Sequence, residues 1–167
     1  MSRRLYECLY VHKFSDISSS ILSALFASSY YFFVPLTSVE LLFNAPTKAL
    51  PNLPKVLLIT IFLSTNYLQF KSHSILANLR QSKTKEPQYS IPRGFLFEYV
   101  SSPHYLCEIV AYLCLWILHF QNVSLFLVFI FVVGNQVDLS LQTQSWYKSK
   151  FGSSFPKKRK AIIPFLL

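Results

Sequence analysis

Glycine is scarce in this sequence, and its scarcity excludes the common nucleotide-binding loops. The 167 residues contain only three glycines, Gly94, Gly134 and Gly152, so a G-x-G-x-x-G loop cannot form. Any nucleotide bound by this chain would therefore be held by side chains and helix ends rather than by a glycine-rich loop.

Charged residues are also few, while apolar and aromatic residues are abundant. Charged side chains make up 14% of the chain, against about 25% in soluble domains, and hydrophobic residues make up 52%. Phe and Tyr account for 16 and 10 residues. This composition predicts an integral membrane protein, and the apolar stretches described below predict an all-α bundle of several membrane-spanning helices.

The cysteines and histidines lack the spacing of a metal site. Cys8, Cys107 and Cys114 form no C-x-x-C pair, and the four histidines are scattered. We therefore expect no metal ion and interpret the cysteines as small apolar residues. The N-terminal stretch MSRRLYECLYVHKF has basic residues without a continuous apolar run, so we expect no signal peptide.

Four apolar stretches predict about four membrane crossings, at residues 17–36, 56–70, 105–120 and 123–141. A helix needs about 20 mainly apolar residues to cross a bilayer, so the second and third stretches are short. A loop at 71–103 and a tail at 142–167 complete a single predicted membrane domain that covers residues 1–167.

The distribution of positive charge supports these crossings. The segment before the first span, the loop at 71–103 and the tail carry three, five and six Lys or Arg residues, whereas the other two connections carry two and none. Because Lys and Arg are enriched on the cytosolic side of membrane proteins, we predict a multi-pass protein whose two termini and 71–103 loop face the cytosol.

The net charge of +9 is concentrated partly in the run KKRK at 157–160. We interpret this run as a cytosolic flank that meets anionic lipid or a phosphorylated ligand, and we expect no nucleic-acid partner. Between the last two spans, Asn122-Val-Ser124 matches a glycosylation sequon. Its place in a tight turn against the membrane predicts that it stays unmodified.

Polar side chains repeat at helical spacing on three of the predicted spans. They are Asn66, Gln69 and His73 on the second span, His104, Glu108 and Tyr112 on the third, and Asn135, Asp138 and Gln142 on the fourth. Residues three or four apart share one face of a helix, and antiparallel packing of the last two spans places Glu108 and Asn135 at similar depth. These stripes either satisfy one another as packing contacts or form a site for an anionic ligand. The basic loop beside them favours the site.

Several segments of the chain resemble the steroid 5-alpha-reductase family. They are RRLYECLYV at 3–11, ILANLR at 75–80, IPRGFLFEYVSSPHYLCEI at 91–109, WYKSKF at 146–151 and FPKKRKAIIPFLL at 155–167. Within the family they look most like the polyprenol (polyprenal) reductase branch. The resemblance implies an oxidoreductase of the endoplasmic reticulum membrane that uses NADPH to reduce the α,β-unsaturated carbonyl of a polyprenal. This isoprenoid lipid substrate belongs to the dolichol pathway, which serves protein N-glycosylation.

The resemblance also implies which residues hold the cofactor. Carried over by position, they are Gln69, His73, Asn78, Arg80, Tyr89, His104, Glu108, Asn135, Tyr147 and Arg159. Arg80 and the 157–160 run suit phosphate groups. Glu108 either binds the cofactor or braces a neighbour, and the rings of Tyr89 and Tyr147 are either stacking or structural groups.

Two positions depart from the family's pattern. Gln144 stands where the family has a His before its aromatic pair, and Gln cannot relay a proton near neutral pH. Phe155 keeps the ring of a family Tyr without its hydroxyl. The resemblance further implies additional helices before the RRLYE-like segment, which help to activate the substrate carbonyl. We therefore expect an N-terminally truncated chain and assign no catalytic residue within it.

Other interpretations also fit the sequence. One is a catalytically inactive, cofactor-binding remnant that acts through association with a full-length relative. Another is a steroid or enoyl-thioester reductase of the same family. The isoprenylcysteine carboxyl methyltransferases have a related C-terminal membrane pattern and would bind S-adenosylmethionine, but the polybasic tail favours a phosphate-rich cofactor. NADPH binding without turnover would indicate the remnant.

Overall fold

The computed structural model describes residues 50–79 and 89–167. These residues form three long helices, α1 (Asn52–Leu79), α2 (Pro103–Leu118) and α3 (Val123–Phe151), with short 3-10 helices at Phe95–Glu98 and Gly152–Ser154. Helix α2 packs against both α1 and α3. The first predicted span, 17–36, and the predicted site residue Arg80 lie outside the described residues.

Helices α1 and α3 are long and apolar enough to cross a membrane, whereas α2 is a shorter apolar helix of 16 residues. Only 11% of the most apolar window of α1 and 22% of that of α3 is buried within the protein. Such low burial separates these helices from the core helices of soluble proteins, and it is expected of helices whose outer faces contact lipid. The fold in the described ranges is therefore that of a helical membrane protein.

Helices α1 and α3 are longer than the predicted spans, whereas α2 has the predicted length and begins and ends two residues earlier. Helix α1 includes the 56–70 stretch and continues to Leu79, so the first nine residues of the predicted 71–103 loop are helical. Helix α3 likewise continues ten residues beyond 141, to Phe151. Apolar runs mark the depth of the bilayer, whereas backbone hydrogen bonds continue into water wherever the sequence tolerates a helix. The spans and the helices therefore end at different residues.

Helices α2 and α3 form an antiparallel hairpin, as the sequence predicted. Asn122 caps α3, because its Oδ1 accepts a hydrogen bond of 2.7 Å from the backbone N–H of Leu125. On the facing surfaces, the ring of Trp116 stacks on Phe129 with 5.7 Å between centroids and lies 5.0 Å from Phe126. These aromatic contacts fix the register of the hairpin close to its turn.

The tail folds back onto the segment that precedes α2. Val100 and Lys160 form a parallel β-bridge, in which the Ser101 N–H donates to the Lys160 carbonyl at 2.8 Å and the Lys160 N–H donates to the Tyr99 carbonyl at 3.0 Å. A small apolar core lies beneath this bridge, and its fully or nearly fully buried members are Phe97, Val100, Phe155, Ala161 and Ile162. The tail is therefore attached to the same end of the bundle at which α2 begins.

Candidate functional site

Polar groups of α1 and α2 meet at this end of the bundle. The Gln69 side-chain amide donates to Oε2 of Glu108 at 3.1 Å and to the carbonyl of His104 at 3.3 Å. One turn further along α1, the His73 ring lies 5.3 Å from the His104 ring. Gln69 and His73 are buried, so their polar atoms are satisfied within the protein rather than by bulk water. The polar stripes of α1 and α2 therefore meet at this end of the bundle.

A cavity of about 540 Å³ opens beside these residues, between the C-terminal ends of α1 and α3 and the start of α2. Its walls combine apolar, aromatic and polar side chains, which are Leu76, Leu79, Tyr89, Ser90, Ser101, His104, Tyr105, Gln142, Thr143, Trp146 and Tyr147. Three of the residues predicted to hold a cofactor, Tyr89, His104 and Tyr147, thus share one cavity. A volume of several hundred Å³ with a mixed lining is typical of sites for organic ligands.

Aromatic rings form one continuous wall of this cavity. Tyr89 packs edge-on against Trp146 at 5.1 Å, and Trp146 packs edge-on against Tyr147 at the same centroid distance. Tyr147 in turn stacks on Phe155 of the tail at 5.8 Å, with 10° between the ring planes. The wall therefore connects the cavity to the folded tail. Both tyrosines that the sequence left as either stacking or structural residues are part of this wall.

Behind this wall lies Arg159, a cation that is only 2% exposed. Its Nη1 donates to the Pro92 carbonyl at 3.0 Å, and its guanidinium lies 5.5 Å from the Phe155 ring. Its Nε and Nη2 are buried and have no hydrogen-bond partner among the described residues. Burial lowers the pKa of Arg159 from its ordinary value, while the Glu98 carboxylate acts in the opposite direction. A guanidinium stays charged at neutral pH, so Arg159 carries two buried charged donors without a partner among the described residues.

Gln144 joins helix α3 to the tail at the same place. Its side-chain amide donates a hydrogen bond of 2.8 Å to the backbone carbonyl of Arg159. Its neighbours Thr143 and Trp146 line the cavity. Gln144, which stands where the family resemblance implies a His, therefore connects the cavity wall to the segment that carries Arg159.

Other predicted site residues are not brought into the cavity. Asn78 is exposed near the end of α1, and Asn135 is exposed on α3. The inward face of α3 carries Val132, Gln136 and Ser140 instead, which recur every four residues and are buried. Of the predicted polar stripe on α3, Gln142 lines the cavity, whereas Asn135 and Asp138 are exposed.

The sequence did not single out several residues that line the cavity. Ser101 is the clearest case, because its hydroxyl oxygen is buried without a hydrogen-bond partner in the described part of the chain. Tyr105 is another, and its ring lies 4.1 Å from that of His104. Ser101 could not be found from helical spacing, because it lies in the segment before α2 that pairs with the tail, whereas Tyr105 lies on α2 directly after His104. No group of three His, Cys, Asp or Glu side chains within residues 50–79 and 89–167 is arranged to bind a metal ion.

Comparison with known proteins gives a consistent family assignment. The family model described as 3-oxo-5-alpha-steroid 4-dehydrogenase matches residues 11–167. The chain is 36% identical over 177 residues to the polyprenal reductase of Homo sapiens, an alignment that covers 98% of this chain and 55% of that protein. It is 36% identical to the polyprenal reductase of Mus musculus, with 98% and 53% covered, and 32% identical to that of Drosophila melanogaster, with 99% and 55% covered. The chain spans about half the length of these curated relatives.

Proposed function

The chain belongs to the 3-oxo-5-alpha-steroid 4-dehydrogenase family, and from that membership we propose that it forms the cofactor-binding part of a membrane oxidoreductase of the polyprenal reductase type. The cofactor is NADPH, and the substrate is the α,β-unsaturated aldehyde of an isoprenoid lipid. The observation that carries the proposal is the single cavity lined by Tyr89, His104 and Tyr147, in a chain 36% identical to a polyprenal reductase.

The residues present fit a phosphorylated dinucleotide. The aromatic wall of Tyr89, Trp146 and Tyr147 suits flat rings, which pack on aromatic side chains. Arg159 lies next to that wall through Phe155, and a side-chain movement that exposes its buried Nε and Nη2 would supply a guanidinium, whose preferred partners are phosphate oxygens. When bound, NADPH would supply a hydride to the β-carbon of the unsaturated aldehyde.

The chain's own polar groups would orient the ligand and limit access of water. In this proposal His104 and Ser101 hydrogen-bond to polar groups of the ligand within the cavity, and Gln69 and Glu108 hold the His104 segment of α2 in place from behind. Leu76 and Leu79 supply an apolar wall from α1. Fixed polar groups in a partly closed cavity bind a ligand without reorganising, and this lowers the free-energy cost of orienting it.

Location and sidedness are also part of the proposal. A polar cofactor enters from water, so the cavity must open on the side of the membrane that carries the tail and the 89–102 segment. The clustering of Lys and Arg on the loop and tail supports a cytosolic orientation of that side. Together with the endoplasmic reticulum membrane that the family resemblance implies, this charge distribution supports a multi-pass protein with both termini in the cytosol.

A binding experiment with the chain in lipid nanodiscs tests the proposal. The sequence contains two tryptophans, of which Trp146 lines the cavity and Trp116 lies in the α2–α3 hairpin. His104 and Trp116 are twelve residues apart on α2, or about 18 Å along the helix. Bound NADPH should therefore shield Trp146 from a collisional quencher such as acrylamide, so Trp146→Phe should remove most of this protection signal and Trp116→Phe much less.

The same samples separate binding from turnover. Tighter binding of NADPH than of NADH, together with consumption of NADPH in the presence of a polyprenal, supports the whole proposal. NADPH binding without aldehyde reduction supports the cofactor site alone and favours the inactive remnant. Absence of any saturable NADPH signal, or equal signal changes in the two tryptophan variants, contradicts the assignment of the cavity.

A further inference from the structure

The last residues of the described chain form a closed loop, which we call the apolar loop (residues 162–167). The N–H groups of Ile162 and Ile163 donate to the Leu167 carbonyl at 2.9 and 2.8 Å, and the N–H of Leu167 donates back to the Ile163 carbonyl at 3.1 Å. At its tip, Phe165 has a φ of 67°, a left-handed conformation that is rare for a residue with a side chain. Such a conformation persists only where the surrounding hydrogen bonds enforce it.

The apolar loop presents large hydrophobic side chains away from the protein. Phe165 is 84% exposed and Leu166 is 75% exposed, although an apolar core lies directly beneath the loop. The exposed Tyr99 extends the patch, since its ring lies 6.2 Å from that of Phe165. Exposed aromatic and aliphatic groups that are held outward by a closed backbone loop mark an interaction surface.

Cationic side chains flank this apolar patch. Lys157 and Lys158 are exposed just before the loop. The ammonium of Lys160 contacts the loop, because it donates a hydrogen bond of 3.4 Å to the Leu166 carbonyl. Apolar groups surrounded by Lys are the combination that binds an anionic bilayer surface, where the side chains enter between headgroups and the ammonium groups pair with phosphates.

The position of the loop identifies the surface that it can reach. Ser101 and Ser102 donate backbone hydrogen bonds to Lys160 and Ala161, and α2 begins at the next residue, Pro103. The loop is thus attached at the level where an apolar helix of the bundle starts. A patch at that level faces the headgroup layer of the protein's own bilayer rather than open solvent.

We propose that the apolar loop inserts into the headgroup layer of the anionic leaflet of the membrane in which the chain resides. Phe165 and Leu166 enter the layer, and Lys157 and Lys158 pair with lipid phosphates around them. Because the loop continues directly from the segment that carries Arg159, its insertion fixes the tail, and with it the cavity wall, relative to the membrane surface.

Site-directed spin labelling of the chain in nanodiscs tests this proposal. A nitroxide is attached to Leu166→Cys in a background in which Cys8, Cys107 and Cys114 are replaced by Ala, which leaves Phe165 in place. The matched control site is Ser153→Cys, an exposed polar position after α3. Collisions with oxygen report lipid, and collisions with a water-soluble nickel chelate report solvent. We expect oxygen to dominate at position 166 and the nickel chelate to dominate at position 153.

The lipid composition and the lysines provide the second comparison. Moving from phosphatidylcholine alone to discs that also contain phosphatidylserine should deepen the label at 166, and the pair Lys157→Gln and Lys158→Gln should remove that difference. Equal accessibility to the nickel chelate at 166 and 153 would overturn the proposal. So would low accessibility at 166 to both reagents with spin–spin broadening, because that result identifies a second copy of the chain as the occupant.

Discussion

The side chain of Gln144 holds the backbone of Arg159 against helix α3, through a hydrogen bond of 2.8 Å from its amide to the Arg159 carbonyl. At this position the family resemblance implies a His. The contact requires a donor that reaches the tail, and both Gln and neutral His can supply one. The departure from the family's pattern therefore keeps a donor at this place, although a relay of protons through the side chain is lost.

Replacing Gln144 by Ala should loosen the tail. The variant leaves the Arg159 carbonyl without its donor, and a half-buried carbonyl without a partner costs about 1–3 kcal/mol. We expect a lower midpoint of thermal unfolding in detergent and weaker NADPH binding in nanodiscs. The neighbouring Ser145→Ala, at an exposed position, is the matched control and should change neither quantity.

The variant Gln144→His separates a positioning role from a nonspecific packing effect. Its ring can donate to the same carbonyl, so it should recover most of the NADPH affinity that Gln144→Ala loses. If Gln144→His behaves like Gln144→Ala in both stability and binding, the hydrogen bond to Arg159 is not what position 144 contributes.

The contact between Gln69 and Glu108 predicts an energetic coupling between α1 and α2. Gln69→Ala, Glu108→Ala and the double variant form a double-mutant cycle, in which the measured quantity is the free energy of unfolding in detergent. We expect a coupling of about 1 kcal/mol, because one amide–carboxylate hydrogen bond of 3.1 Å joins the two side chains. Strictly additive effects of the two single variants would show that this contact adds nothing to stability.

The convergence of α1 and α2 was predictable from the sequence, whereas the phase of α3 was not. Gln69, His104 and Glu108 lie on helices at three- and four-residue spacing, and a polar group in a membrane bundle turns toward another polar group. On α3, both Asn135 and Gln136 are amides, and spacing allowed either to face inward. Packing of Val132 and Ser140 in the bundle decided between them, and this preference is invisible without the partner helices.

The contact between the tail and the cavity wall could be predicted only in part. Arg159 was identified through the family resemblance, but its burial depends on the β-bridge between Val100 and Lys160, sixty positions apart in the chain. Such a contact has no periodic signature in a sequence. Ser101 was missed for the same reason, since it enters the cavity only because the tail pairs with the segment before α2.

The cap of helix α3 predicts both a stability effect and the absence of a modification. Asn122→Ala should lower the free energy of unfolding by about 1 kcal/mol, because the Leu125 N–H loses its acceptor. Asn122→Asp keeps an equivalent acceptor and should be nearly neutral.

Because the Asn122 amide is engaged in the tight turn, we also expect no mobility shift after endoglycosidase treatment of the chain expressed in microsomes. A shift at this residue would contradict the prediction.

Replacing Arg159 should change stability little and cofactor binding strongly. Its buried Nε and Nη2 lack partners among the described residues, so the folded protein bears a desolvation cost that an apolar side chain of similar length would not. Arg159→Met removes this cost but also removes the charge-assisted hydrogen bond to Pro92, which is worth about 1.5–3 kcal/mol. We therefore expect a thermal midpoint close to that of the parent chain.

NADPH binding by Arg159→Met should nevertheless weaken by about tenfold or more, because charge-assisted bonds to a phosphate contribute about 1.5–3 kcal/mol. Lys158→Met removes an exposed cation from the adjacent position and should weaken binding far less, which controls for net charge. Comparing the affinities for NADPH and for NADH, which lacks the additional phosphate, shows which phosphate the guanidinium binds. If Arg159→Met weakens both dinucleotides equally, the guanidinium contacts the shared diphosphate. If it weakens only NADPH, the guanidinium binds the additional phosphate. Unfolding of the variant with unchanged affinity in the surviving fraction would instead make Arg159 a purely structural residue.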